Sequence, residues 1–427
     1  MKIRDDNYNL SADFKLLLQM DKNQCLEINE PVINLTDYTL LLEINYESLH
    51  KKKQGIITVS NKQNKKTTIE NAQFFEANQQ GIRYLNVSDY DLSNKHYIHC
   101  ENCKISNKAT LLAFKNPDFT QAPILIISPH ADDAEIAAYG FYQKHNKNTW
   151  ITTLNSGDSL QALKRQYIKG LDTNMEDATL RKGKTRAWNS MTTPLLAGVP
   201  FKNLSSLGYF KITLDHLYEK RKEVTSHPVN SYITPKEYRI YNDVTLPNDI
   251  ANINSGDALI NDLKHLIQTI KPSTILVTHP RIDPHPEHIT AAHSLAIALE
   301  EIEHKPEHIL LYVNHLENIK GFPYGPEHAK TALPPSSDKP NSLHSVSHKC
   351  YSFQLTSETQ KDKIIALDSM HDLRSKYRFE RAVKQWWNKS ILKNDYHYYA
   401  DNAYLQTHIK ANEVFLRMDA NQFLRLK

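Results

Sequence analysis

Cysteine is scarce: Cys25, Cys100, Cys103 and Cys350 are the only four in 427 residues. A secreted scaffold held by disulfides needs a denser set, so reduced thiols are expected. Cys100 and Cys103 have the spacing of half a zinc knuckle, but no second Cys/His pair lies at a suitable distance. An excess of one charge is also lacking. Lys plus Arg number 52 against 48 for Asp plus Glu, which gives no field to hold nucleic acid or an anionic bilayer. No apolar run approaches the roughly 18 residues that span a membrane, and the opening MKIRDDNYNLSADFK has no apolar signal-peptide core. The expectation is a cytoplasmic protein with no integral membrane segment and no nucleic-acid partner, acting on a small molecule or a glycan. None of these features encodes an oligomeric state. RKGKT, around Gly183, lacks the first glycine of a phosphate-binding loop, Ala178 standing in that slot.

A length of 427 residues exceeds one ordinary hydrophobic core, so two domains are expected. From about 25 to 115 short β-type runs such as YTLLLEINY, GIITVS, GIRYLNVS and ATLLAFK alternate with polar turns, the pattern of a small sandwich. NPDFTQAP, a polar and proline-bounded stretch, marks the boundary: residues 1–117 form an N-terminal all-β domain and 118–427 an α/β domain. The β region is expected to fold by itself and to serve substrate presentation or assembly. In the second domain, strands at 123–128, 149–154, 273–278 and 308–313 alternate with helical patterns at 133–146, 255–270 and 287–303. This is an α/β signature with a mostly parallel, Rossmann-like sheet flanked by helices. Residues 321–347 form a Pro-, Ser- and Gly-rich segment for which a lid is one reading. C-terminal helices follow, with Trp386 and Trp387 expected to pack.

In open α/β sheets ligands bind at the carboxyl ends of strands. His130, Asp132 and Asp133 sit at such an end, after PILIIS. One reading of Asp132 with Glu135 is a capping box at a helix start. Capping calls for neither His130 nor a second adjacent aspartate, whereas imidazole and carboxylate are ordinary ligands of a hydrolytic zinc with an open position for water. A second cluster occupies the matching position after STILVT: His279, Asp283, His285 and His288 lie within THPRIDPHPEH. Two such clusters can converge on one metal at one sheet edge.

Pro129-His130-Ala131-Asp132-Asp133-Ala134-Glu135 and His285-Pro286-Glu287-His288 resemble the two signatures of the PIG-L, or LmbE-like, N-acetylglucosaminyl deacetylases. The resemblance covers roughly 123–320 and, weakly, 361–374. It implies one zinc ion (Zn2+) per chain held by His130, Asp133 and His288, with Asp132 as general base and His285 stabilising the oxyanion. His285 would act best there as imidazolium. Glu135 and Asp283 are candidates for orienting the ligand imidazoles, and Asp158 for the pocket rim. Ala131 and Glu287 depart from the pattern at positions where no zinc ligand is expected. The family's Arg-x-x-Glu helix has its nearest counterpart in Arg186 to Asn189, an amide replacing the acid, and Asp283 stands where some members have tyrosine.

The implied activity is hydrolysis of the acetamide of an N-acetylated amino sugar, in a glycan such as a lipopolysaccharide precursor or in a glycoconjugate. Two alternatives stay open: hydrolysis of another amide or a carbamoyl bond, and a non-catalytic glycan-binding or scaffold role.

Overall fold

The computed structural model describes residues 2–21, 24–26, 35–61, 69–92, 94–120, 122–317, 319, 321–336, 346–371, 373, 383, 386–387, 390 and 408–427. Its centre is a seven-stranded sheet: β1 (Ile124–Ser128), β2 (Thr149–Asn155), β3 (Leu204–Tyr209), β4 (Thr274–Thr278), β5 (His308–Tyr312), β6 (Lys349–Gln354) and β7 (Asn412–Met418). The strand order is β3-β2-β1-β4-β5-β7-β6. The first five run parallel, and β7 and β6 add an antiparallel edge. Every residue of β1, β3 and β4 is buried, as parallel strands covered by helices on both faces require. Successive strands build outward from β1 in one direction and then, from β4, in the other. The crevice between the carboxyl ends of β1 and β4 is therefore the topological switch point, the place where such sheets bind ligands.

Helices α1 (Asp133–Lys144), α2 (Met175–Thr192), α3 (Gly256–Ile270), α4 (Pro286–Glu300) and α5 (Ser357–Ser369) cover the sheet. Asn174, Ser255 and Thr356 cap α2, α3 and α5 through their side chains. Helix α2 and strand β3 have no counterpart among the segments expected from sequence. Helix α2 carries Gly183 mid-length and β3 reads LSSLGY, so neither shows a strong apolar period. Gly183 is not part of a phosphate loop. A Cβ there would lie 2.3 Å from the Tyr238 ring, so only glycine lets that ring pack on the helix.

Helix α1 is broken at Ala138 (φ −143°, ψ 19°). The N–H groups of Gly140 and Phe141 donate to the Glu413 carboxylate of β7, at 3.0 and 2.9 Å. Lys363 of α5 in turn donates to Glu413 at 2.7 Å, so this buried charge is paired.

Residues N-terminal to β1 form two sheets. One has five strands in the order Lys2–Ile3, Gln79–Asn86, Tyr38–Ser48, Cys103–Lys115, Phe14–Gln19; the other has four, in the order Cys25–Leu26, His96–Glu101, Gly55–Ser60, Ala72–Phe75. Leu42, Ile44, Ile57, Val59, Leu85 and Ile98 from both sheets share one core, giving the expected sandwich. A second face of this region is not free. Tyr8, Leu41, Tyr84, Leu112 and Phe114 belong to the same apolar cluster as Leu125, Ile127 and Val277 of the parallel sheet. The Ser352 N–H donates to Thr39 at 2.9 Å, and Asn86 donates to Ser352 at 2.9 Å. The described part of 321–347 joins the two regions instead of covering the crevice. The Tyr8 hydroxyl donates to the Pro334 carbonyl at 2.6 Å, and the Lys330 N–H to the Ala72 carbonyl at 2.9 Å. Residues 337–345 lie outside the described residues. Trp386 and Trp387 do not pack: they are 60% and 52% exposed.

His348 also sits on this seam, its backbone bridging to Leu10 and its ring stacked on His279 at 5.8 Å. Burial, aided by nearby Arg281, pushes the His348 imidazole down to about 4. The unfolded chain takes up this proton near 6.5, the folded chain only near 4. The contribution to stability is thus complete above about 6.5 and lost as pH falls through that window, by roughly 3 kcal/mol. A His348→Leu variant is expected to show a shallower fall in Tm between pH 7 and pH 5 than the parent. Parallel melting curves would refute the assignment.

Candidate active site

Both sequence clusters arrive at the switch point. His130 lies in the turn between β1 and α1, and Asp133 opens α1. His285 and Pro286 begin α4, which brings His288 into its first turn. Three atoms from these elements form a near-equilateral triangle. Asp133 Oδ2 is 3.2 Å from His130 Nδ1 and 3.2 Å from His288 Nε2, and the two nitrogens are 3.3 Å apart. His285 joins His130 and His288 in one group of ligand-competent atoms, and His315 joins Asp133 and His288 in another. His279 is not brought in. Its Nδ1 accepts the N–H groups of Arg281 and Ile282.

Each imidazole of the triangle has its far nitrogen held by a carboxylate. His288 Nδ1 donates to Asp283 at 3.0 Å, and His130 Nε2 donates to Glu287 at 2.8 Å. Such pairing fixes the tautomer and ring orientation of a metal-ligating histidine. Asp283 is itself locked by the N–H groups of Asn314 and His315, at 3.0 and 3.1 Å. The Asn314 side chain donates to Asp133 Oδ1 at 2.8 Å, leaving Oδ2 for the triangle. Asp283, the carboxylate expected from sequence, thus reaches one imidazole of the triangle, and Glu287 reaches the other. Glu135 does not. It is buried, accepts from Tyr142 at 3.3 Å, and is pushed up to about 8 by burial, with the Asp132 charge adding to the rise.

The electrostatics follow from this packing. Burial would lower both imidazoles, but the neighbouring carboxylates outweigh it and raise His130 to about 9 and His288 to about 10. Burial likewise opposes ionisation of Asp133, and the two histidines overcome it, holding its carboxyl well below the usual range. His285 goes the other way. Burial and the adjacent His288 and His130 lower its pKa.

Asp132 occupies the N-cap position of α1, yet its side chain makes no capping hydrogen bond. Its Oδ1 accepts from Arg186 of α2 at 3.2 Å. The capping-box reading therefore fails, and Asp132 is a half-buried carboxylate facing the cleft beside the triangle. Gly157 makes room for Arg186, since a Cβ there would lie 2.2 Å from the guanidinium Nε. Asn189 is elsewhere, its amide bonded to Ser369 and His371. Asp158 lines the cleft wall, but its carboxylate accepts from His227 at 2.8 Å and Tyr238 at 2.6 Å, which ties the segment after β3 to the end of β2.

Sequence reasoning missed Asn314 and His315. They lie two and three residues past the end of β5, at the same carboxyl edge as the two clusters, and that position was the available signal.

Residues 125–299 match the family model described as PIG-L, GlcNAc-PI de-N-acetylase. These residues are a PIG-L domain. It contains His130, Asp132, Asp133, Arg186, Asp283, His285, Glu287 and His288, and stops short of Asn314 and His315. No curated protein matches the chain. Among solved structures, a deacetylase of the teicoplanin biosynthesis pathway in complex with teicoplanin is 13% identical, covers 70% of this chain and 98% of its own, and superposes with a TM-score of 0.37. The 4-carboxy-2-hydroxymuconate hydratase from Pseudomonas putida KT2440 is 12% identical over 69% of this chain and 96% of its own, with a TM-score of 0.31. No helix among the described residues flanking the PIG-L domain, or within it, is long and apolar enough to cross a membrane.

Proposed function

We propose that the chain is a zinc-dependent hydrolase that removes the acetyl group from an N-acetylated amino sugar. The observation that carries this reading is the triangle of Asp133 Oδ2, His130 Nδ1 and His288 Nε2 with edges of 3.2, 3.2 and 3.3 Å. Zinc bonds of about 2.0–2.1 Å in tetrahedral geometry place ligand atoms about 3.3 Å apart, so the three donors fit one face of a zinc site. The matching family, GlcNAc-PI de-N-acetylase, supports the choice of bond and sugar.

His130, Asp133 and His288 would hold the metal, and Asp283, Glu287 and Asn314 keep those ligands in place. When bound, zinc supplies Lewis acidity that acidifies water and polarises the amide carbonyl. The chain's own groups move the protons. Asp132, steadied by Arg186, takes the proton from the attacking water and passes it to the leaving amine. His285, beside His130 and His288, offers an N–H to the carbonyl oxygen as negative charge develops there. The cleft above them, about 510 Å³, also presents Lys211 and Thr213 to a substrate.

Purified protein is expected to contain one zinc per chain and to release acetate from N-acetylglucosamine or a conjugate of it. Treatment with a chelator should stop the release and added zinc should restore it. Full activity after complete metal removal would overturn the reading.

A further inference from the structure

His279 stands beside the metal site and takes no part in the chemistry proposed above. It follows β4 directly, at the start of the stretch that carries Asp283, His285 and His288. It is fully buried, out of reach of a substrate, and it belongs to neither group of ligand-competent atoms found among the described residues. Burial, with His348 and Arg281 adding, holds its imidazole well below the usual range. A buried ring of this kind could serve as packing alone, but its hydrogen bonds say otherwise.

Three of them fold the five residues from His279 to Asp283 back on His279. Its Nδ1 accepts the N–H groups of Arg281 and Ile282, both at 3.2 Å, and its carbonyl accepts the Asp283 N–H at 3.1 Å. A fourth fixes His279 to the sheet, its N–H donating to the Tyr312 carbonyl at the end of β5 at 2.8 Å. Two backbone donors on Nδ1 leave that nitrogen without a proton, so the ring hydrogen is on Nε2. Nε2 is buried with no hydrogen-bond partner among the described residues, as are both ring nitrogens of His348, which stacks on it. An unpaired buried donor is costly, and an aliphatic side chain would fill the space without one. What histidine adds at this position is the acceptor at Nδ1.

The turn delivers Asp283. Its carboxylate collects four donors: His288 Nδ1 at 3.0 Å, the N–H groups of Asn314 and His315 at 3.0 and 3.1 Å, and the His285 N–H at 3.1 Å. All four lie outside the turn, and a hydrogen bond weakens steeply once distance or angle departs from its narrow range. The short aspartate side chain meets them together only where the turn places its backbone. The far wall of this arrangement comes from the sandwich. His348 is set by its own N–H on the Asn9 carbonyl at 2.8 Å and by the Ser11 N–H on its carbonyl at 2.9 Å.

We propose that His279 is a positioning residue for the metal site: its Nδ1 gathers the turn from His279 to Asp283 so that the Asp283 carboxylate stands on His288. The proposal rests on the zinc reading above. Its test measures the zinc affinity of the full-length protein by competition with a chromophoric chelator. His279→Leu is expected to weaken zinc binding by about 10–100-fold, the scale for loss of a partner that orients a ligand. His279→Asn should keep the parent affinity, because an asparagine oxygen occupies the place of Nδ1 and accepts the N–H groups that follow it in a turn. His348→Leu, which disturbs the same stacked pair but none of the hydrogen bonds of the turn, should also keep it. In an Asp283→Ala background, where the contact to His288 is already gone, adding His279→Leu should lower affinity no further. If His279→Leu does not fold, His279→Gln takes its place: its amide oxygen lies one bond farther out than Nδ1, cannot close the same turn, and should lose the same affinity. Parent affinity in the Leu or Gln variant, an equal loss in His279→Asn or His348→Leu, or a further loss in the Asp283→Ala background overturns the role of His279 and leaves the zinc reading intact. A parent protein that binds no zinc refutes the zinc reading and the positioning role with it.

Discussion

Asp132→Asn is expected to retain bound metal and substrate affinity and to lose turnover by about 10²-fold or more, the usual scale for a positioned acid–base group. The amide has nearly the same shape and still accepts from Arg186, but it cannot take a proton from water. Because the Asp132 side chain caps nothing in α1, the substitution should leave Tm nearly unchanged. Metal content by elemental analysis, kcat and a melting curve on the same preparation decide the matter. A fully active variant would remove Asp132 from the chemistry, and a non-catalytic role for the whole site would show as no change in any substrate's fate.

The second large effect concerns the metal. A His130→Ala, His288→Ala double variant is expected to purify without zinc and without activity, since two of three ligands are gone. Asp283→Asn should act more mildly. It removes the carboxylate that holds His288 Nδ1, and loss of such an orienting partner weakens metal affinity or activity by about 10–100-fold. Glu287→Gln should resemble it through His130. The raised imidazoles give this a pH dependence. Metal must displace protons that His130 and His288 bind up to about 9 and about 10, so apparent affinity rises with pH and proton release accompanies loading. Equal zinc content in the double variant and the parent would place the metal elsewhere.

Much of this was legible in the sequence because the chemistry sits at strand ends. PILIIS and STILVT are short apolar runs followed at once by His and Asp, and the eye needs only the rule that parallel sheets bind ligands at their carboxyl edge. The structure places β1 and β4 side by side, which joins the two clusters. What the sequence hid were residues whose roles depend on direction alone. Asn314 and His315 act partly through backbone N–H groups aimed at Asp283, and backbone donors leave no signature in residue type. Glu287 reads as a neutral departure from a family pattern, yet its carboxylate reaches His130 from the first turn of α4. The downward shift of His285 was hidden for a similar reason: crowding by other imidazoles is a property of the packed site, not of the motif. The seam between the sandwich and the parallel sheet was hidden as well, because the alternating pattern of Tyr38–Ser48 shows that a strand has two faces without saying what covers each.

The break in α1 has a bearing on how the chain is made. The helix that begins with Asp133 turns at Ala138 because its freed N–H groups have a carboxylate to bind, and that carboxylate belongs to Glu413. A ribosome that has synthesised both signature clusters has therefore not yet supplied the group that sets the course of the helix between them. Nascent chains of about 288 to 412 residues hold His130, Asp133 and His288 and lack the strut, so the final course of α1 should be set only late in synthesis.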